Sequence, residues 1–155
     1  MIKDLKQAEC LELLANNYLG HLGFIAGRSP HVTPITYFFD AEERCIISYS
    51  ANGHKIDAMR SYEFVSLQVE EVTSIQEWKS VLIHCTFAEE AGSTAKKYLH
   101  KFTTGVRDII ERKTGEKPKF IEDFSSKLKG RELPVVYRLH IKDISGKFRC
   151  TEGKK

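Results

Sequence analysis

Residues 80–89 read SVLIHCTFAE, a run of β-branched and aromatic residues that is apolar on both of its faces. Successive side chains of a strand point to opposite sides, so Leu82 and Ile83 cannot enter one core together. CIISYS at 45–50 repeats the feature with Ile46 and Ile47. An antiparallel sheet with one wet face does not suit such strands. A sheet curled on itself does, because one face fills a barrel interior while the other lies beneath a helix or a second subunit.

Working outward, LGHLGFIA (19–26), VTPITYFF (32–39), FVSLQVEEV (64–72) and VVYRLHIKDI (135–144) share that composition and bring the count to six strands. GRSPH (27–31) and DAEER (40–44) are short enough to be hairpin links, and no strand–helix–strand alternation is visible. The expected fold is mainly β with flanking α-helices, its six strands forming an antiparallel barrel. An amphipathic helix is predicted over 4–18, with Asp4 as its cap and Gln7 at the capping-box position. ANGHKIDAMRSY (51–62) turns at Asn52-Gly53 into a short helix. From Ser93 to about Lys113 the apolar positions keep helical spacing, with Gly105 as a point of interruption. Residues 114–133 show no period and read as an irregular excursion with a helical turn around Glu122–Leu128.

The chain has 155 residues, 41% hydrophobic and 29% charged, which suits one domain over residues 1–150 followed by a polar tail at 151–155. Such a chain buries about 70% of its unfolded surface and needs no disulfide or structural metal. No apolar run approaches the roughly 18 residues of a membrane span, and MIKDLKQAEC does not resemble a leader, so a cytoplasmic protein is expected. Cys10, Cys45, Cys85 and Cys150 form no CxxC pair, and none is expected to be a nucleophile or metal ligand. The six histidines form no HxxxH or HExxH pair, so no metal site is expected. Residues 1–93 hold 7 Lys/Arg against 13 Asp/Glu and residues 94–155 hold 17 against 8, giving −6 and +9. The cations are spread over several elements without interleaved aromatics, so nucleic acid is not an expected partner.

Taken in order, several segments form a pattern: Pro34 through Phe38, Ser50 closing a strand, Gly53-His54-Lys55 opening a helix, Trp78-Lys79-Ser80-Val81 opening another strand, and ISGK at 144–147. The ordered set resembles the pyridoxamine-phosphate-oxidase-like split-barrel flavoproteins, most closely their small nitroimidazole-resistance-related branch. The resemblance implies a split β-barrel of the FMN-binding type, assembled as a homodimer with FMN at each subunit interface.

The residues give that implication a physical sense. A phosphate wants oriented donors and a nearby cation. Ser50 offers a hydroxyl, the Asn52-Gly53 turn offers amides, Lys55 an ammonium, and His54 a further donor. Arg60 stands five residues beyond Lys55 and so points about 140° away on a helix, making it a weaker candidate. The resemblance places Thr33, Pro34, Ile35 and Thr36 along the flavin ring's edge, where Pro34, lacking an N–H, fits an edge strand. It places Tyr49 beside the phosphoribityl chain, and Trp78, Ser80 and Val81 as contacts from the second subunit.

Tyr49 stands where many relatives carry His, which argues against nitroimidazole reduction, and the ending YRLHIKDISGKFRC lacks the arginine-rich motif of vitamin B6 oxidation. The expected function is an NAD(P)H-dependent oxidoreductase or flavin reductase that passes electrons to an organic acceptor, with no side chain required as acid or base. The alternatives are a flavin-storing or flavin-sensing protein and a haem-binding split barrel with a His or Tyr axial ligand.

Overall fold

A computed structural model describes residues 1–116 and 133–151. The helical turn expected at Glu122–Leu128 lies outside the described residues, as does most of the polar tail. The chain runs β1 (Ile2–Asp4), α1 (Gln7–Ala15), β2 (Leu19–Ala26), β3 (Ser29–Thr36), β4 (Phe38–Asp40), β5 (Cys45–Ser50), α2 (His54–Ser61), β6 (Phe64–Ser74), β7 (Glu77–Glu90), α3 (Gly92–Thr114) and β8 (Val135–Arg149). Among the described residues, no helix is long and apolar enough to cross a membrane.

The strands form one antiparallel sheet in the order β3-β2-β6-β7-β8-β5-β4, with β1 added to the far end of β8. Eight strands therefore stand where six were expected, and the difference has two causes. The start of the chain makes β1 rather than helix: Asp4 pairs with Lys147 instead of capping, and the Glu9 carboxylate accepts the Lys6 N–H at the real start of α1. The stretch VTPITYFF is cut at Tyr37, which leaves the ladder because its N–H donates to the Tyr18 carbonyl at 2.8 Å and its hydroxyl to the Leu14 carbonyl at 2.8 Å.

That cut creates the barrel. β3 and β4 lie at opposite ends of the sheet order yet are separated by a single residue, so the sheet has curled until its edges meet. No ladder joins the two edges among the described residues; the chain itself crosses the gap, and Ser48 of β5 reinforces it by donating to the Thr36 carbonyl at 2.8 Å. The barrel is split there.

Inside the barrel lie Leu22, Ile46, Leu67, Val81 and Ile83, joined by Leu14 from α1 and by Ile56 and Met59 from α2. On the outer side α3 covers β5 and β8 through a second core containing Ile47, Leu99, Phe102, Val106 and Val136. Ile46 and Ile47 thus enter different cores, as the two-faced strand requires. Leu82, the outward neighbour of Ile83, has no helix over it among the described residues and is 36% exposed.

α3 is continuous through Gly105. A Cβ at this position would sit 2.2 Å from Cε2 of Phe38, so the glycine admits the Phe38 ring against the helix backbone and does not interrupt the helix. Gly105→Ala should therefore destabilise the fold despite alanine's helix propensity. Overpacking costs about 1–3 kcal/mol against roughly 1 kcal/mol gained. A fall of a few degrees in melting temperature is expected, and an unchanged or higher value would contradict the close approach. Gly146 has a similar origin, since its Cβ would meet Cys10 Sγ at 2.6 Å where α1 crosses β8.

α3 is also held by charge. Lys101 reaches the nearly buried Asp40 at 3.0 Å, while the Arg138 guanidinium bonds Glu90 at 2.7 Å and lies 4.2 Å from the Tyr98 ring centre. The hydrogen bond to Asp40 raises the Lys101 pKa, so this contact favours the charged form.

Candidate functional site

The chain leaves β5 at Ser50, turns through Asn52 and Gly53, and starts α2 at His54. No side chain caps this helix; the first intrahelical bond is Asp57 N–H to the Gly53 carbonyl at 3.0 Å, so the amides of the first turn have no helical acceptor. Such a terminus attracts anions. Lys55 stands in that first turn, half-buried, and burial lowers its pKa. Among the described residues it has no ion pair. An ammonium taken partly out of water without a carboxylate beside it is a site that an added anion would relieve.

Arg60, on the other flank of α2, does have partners. It donates to both Glu89 oxygens at 2.8 and 2.7 Å and lies 3.6 Å from Asp57. Its charge is neutralised, in keeping with its weaker standing from helical spacing.

Ser50 pairs with Val135 of β8, and Ser48, two residues before it, bonds the Thr36 carbonyl. The ring-edge candidates and the phosphate candidates therefore flank the same split in the barrel. Thr33, Pro34 and Thr36 lie on β3, an edge strand as Pro34 requires, with Pro34 opposite His21. The Ile35 side chain points into the core at 6% exposure and Val81 is fully buried, so each offers only its backbone to a ligand outside the barrel. Tyr49 faces α3, its ring edge-on to Phe102 at 5.1 Å, and burial raises its pKa.

Sequence reading missed His31. It stacks on Phe24 at 5.4 Å and meets His54 edge-on at 5.4 Å, adding a second imidazole to the corner. Sequence alone gave no signal for this, because a β2–β3 hairpin and a helix start are brought together only by the fold.

Trp78 and Ser80 are not brought to the corner within one chain. Ser80 Oγ accepts from Gln68 Nε2 at 2.8 Å on the outer face of β7. Trp78 is at the opposite end of β7 from Glu89, the residue that holds Arg60. On the order of 30 Å of strand lies between them.

The acidic cluster beside α3 is already occupied by cations, and two buried thiols are inert. The donor atoms of Asp40, Glu43 and Cys45 lie within 4.8 Å of one another, but Lys101 and Arg138 already supply the cations there. Burial pushes the Cys85 thiol up to about 12 and raises Cys45 as well, so neither is a thiolate at neutral pH.

Comparison with known proteins bears on the fold. An uncharacterised protein of Rhizobium meliloti (strain 1021) is 25% identical over 150 residues, covering 96% of each chain. The crystal structure of an FAD-binding protein from Mesorhizobium loti superposes with a TM-score of 0.74 at 23% identity, over 97% of this chain and 98% of that one. A candidate 5-nitroimidazole antibiotic resistance protein from Bacteroides thetaiotaomicron VPI-5482 superposes with a TM-score of 0.61 at 13% identity, over 98% of this chain and 93% of that one. The profile of the family described as pyridoxamine 5'-phosphate oxidase matches residues 6–148, nearly the whole described fold, and the chain belongs to that family.

Proposed function

We propose that this protein is a flavoprotein that holds the FMN moiety of a flavin nucleotide at the start of α2, between two copies of the chain, and works as an NAD(P)H-dependent oxidoreductase. The observation that carries the reading is Lys55, a half-buried ammonium without a carboxylate partner among the described residues, set in an uncapped helix start beside Ser50. The name of the Mesorhizobium protein supports a flavin, and FMN presents the same phosphoribityl group whether free or as half of FAD.

A second copy is proposed on two grounds. The outer face of β2, β3, β6 and β7 carries exposed Leu19, Val32, Phe64 and Leu82, with no helix over them among the described residues. A twofold partner would also bring a Trp78 toward a corner that the chain's own Trp78 does not reach.

The bound flavin would supply the redox chemistry, taking a hydride from a reduced nicotinamide and passing electrons to an organic acceptor. The chain's part is to fix the phosphate with Ser50, the turn amides and Lys55, and to present the edge of β3 to the ring. The test is the visible spectrum of the purified protein, followed by anaerobic stopped-flow mixing with NADH or NADPH. Flavin absorbance that bleaches on mixing is expected. A flavin that stays oxidised for minutes reduces the protein to a flavin store or sensor. A Soret band would identify a haem protein, and failure to take up added FMN or FAD overturns the reading.

A further inference from the structure

At the opposite end of β5 from Ser50, we infer a second binding site, for a small organic molecule that bears an oxyanion, a phosphate or a carboxylate. It occupies the cleft between the start of α1, the β4–β5 turn and the middle of β8, and it stands independently of the flavin reading. The cleft has a volume of about 860 Å³ and mostly polar walls, to which Arg44 and Lys142 contribute cations. Neither has an ion pair among the described residues. Sites for small organic ligands span about 300–1,000 Å³, so there is room for an organic body beside the charged group. Nearly the whole of β5 separates Arg44 from Ser50, on the order of 20 Å. An anion held here is therefore not the one held at the start of α2.

Both cations are delivered by irregularities of the chain. Arg44 is the one non-glycine residue at positive φ among the described residues, at 51°. Glycine would adopt this left-handed conformation without strain, so an arginine here is kept at a cost to the turn. Lys142 is the extra residue of a β-bulge: His84 pairs with Asp143 and Cys85 with Ile141, which leaves Lys142 without a ladder partner. Bulges re-aim side chains and are enriched beside active sites. The two irregularities meet on one ladder, since Arg44 precedes Cys45, the partner of His140, and Lys142 follows His140 by two positions. His140 lines the cleft with them.

The imidazole reports a positive field. Burial first, then the charges of Arg138 and Lys142, hold the His140 pKa below its ordinary value against the opposing pull of Glu90 and Glu43. Glu43 is taken by Arg138 at 3.5 Å and by the Tyr98 hydroxyl at 3.1 Å, and Glu90 by Arg138 at 2.7 Å. Asp143 is the remaining carboxylate of the wall, against the two cations. A planar guanidinium, an ammonium, an imidazole able to donate and the Gln7 amide together match the oxygens of a phosphate or carboxylate.

The test is an NMR titration of the His140 imidazole in the full chain across pH, alone and with inorganic phosphate or succinate, the resonance being assigned by its loss in His140→Gln. A neighbouring anion favours the imidazolium, so bound anion should move the His140 pKa upward by about one pH unit, and by reciprocity the anion should bind the charged ring about tenfold more tightly. A response to phosphate alone or to succinate alone identifies the oxyanion. Arg44→Gly removes the guanidinium and relieves the positive φ, so the response should vanish from a protein at least as thermally stable as the wild type. Lys142→Gln, an exposed change, should weaken anion binding severalfold, and it carries the test if Arg44→Gly fails to fold. Lys55→Ala, at the start of α2, should leave the response intact. A His140 pKa that neither anion moves, or a response that survives both Arg44→Gly and Lys142→Gln, or one that disappears in Lys55→Ala, overturns the inference.

Discussion

Lys55→Ala is expected to weaken FMN binding by roughly ten- to a hundredfold while leaving riboflavin almost unchanged, because a charge-assisted contact is worth about 1.5–3 kcal/mol and only FMN carries the charge. Burial alone holds the Lys55 pKa down. A base whose folded-state pKa lies below its unfolded value resists protonation in the fold, so below that pKa its charge opposes folding. Removing it should leave the flavin-free protein at least as thermally stable as the wild type. That separates a binding role from a structural one: lower stability with equal loss of both ligands would show that Lys55 acts through folding. Alkaline pH gives an independent check. As pH rises through the lowered pKa the ammonium is lost, so the preference for FMN over riboflavin should shrink in the wild type and stay flat in Lys55→Ala. Titration of both ligands across pH, read by flavin fluorescence, measures it.

The local geometry of the proposed corner was legible in the sequence because it involves no distant contact. Ser50 through Lys55 is one continuous piece of chain, and a strand end, a turn and a helix start fix its geometry without distant help. The barrel was legible for a different reason, since period-two reading of CIISYS assigns Ile46 and Ile47 to separate cores whatever covers them. What could not be read depends on contacts between remote segments. The composition of VTPITYFF favours strand throughout, and the break at Tyr37 exists only because Tyr18 and Leu14 offer carbonyls to its N–H and hydroxyl. Gly105 looks like a helix breaker until the Phe38 ring is seen against it. His31 and His54 meet because the β2–β3 hairpin and the start of α2 fold onto the same corner.

Leu82→Arg tests the proposed contact between two copies of the chain. Leu82 lies at the middle of the outer face of β7, opposite Gln68 on one side and Ser145 on the other. At 36% exposure it already borders solvent, so an arginine there is tolerated by the single chain. In a twofold dimer the same substitution enters the interface twice, removing apolar burial worth about 1.5–3 kcal/mol per leucine and adding two like charges. Association should weaken by at least about a hundredfold, giving a monomer at micromolar concentration by light scattering. If Trp78 and Ser80 of one copy complete the corner of the other, the monomer should also lose its flavin on gel filtration, although Ser50, Lys55 and α2 are untouched. A variant that remains dimeric would move the interface elsewhere on the barrel. A monomer that keeps its flavin would mean that one chain suffices to hold the cofactor, and that Trp78 and Ser80 serve only their own sheet.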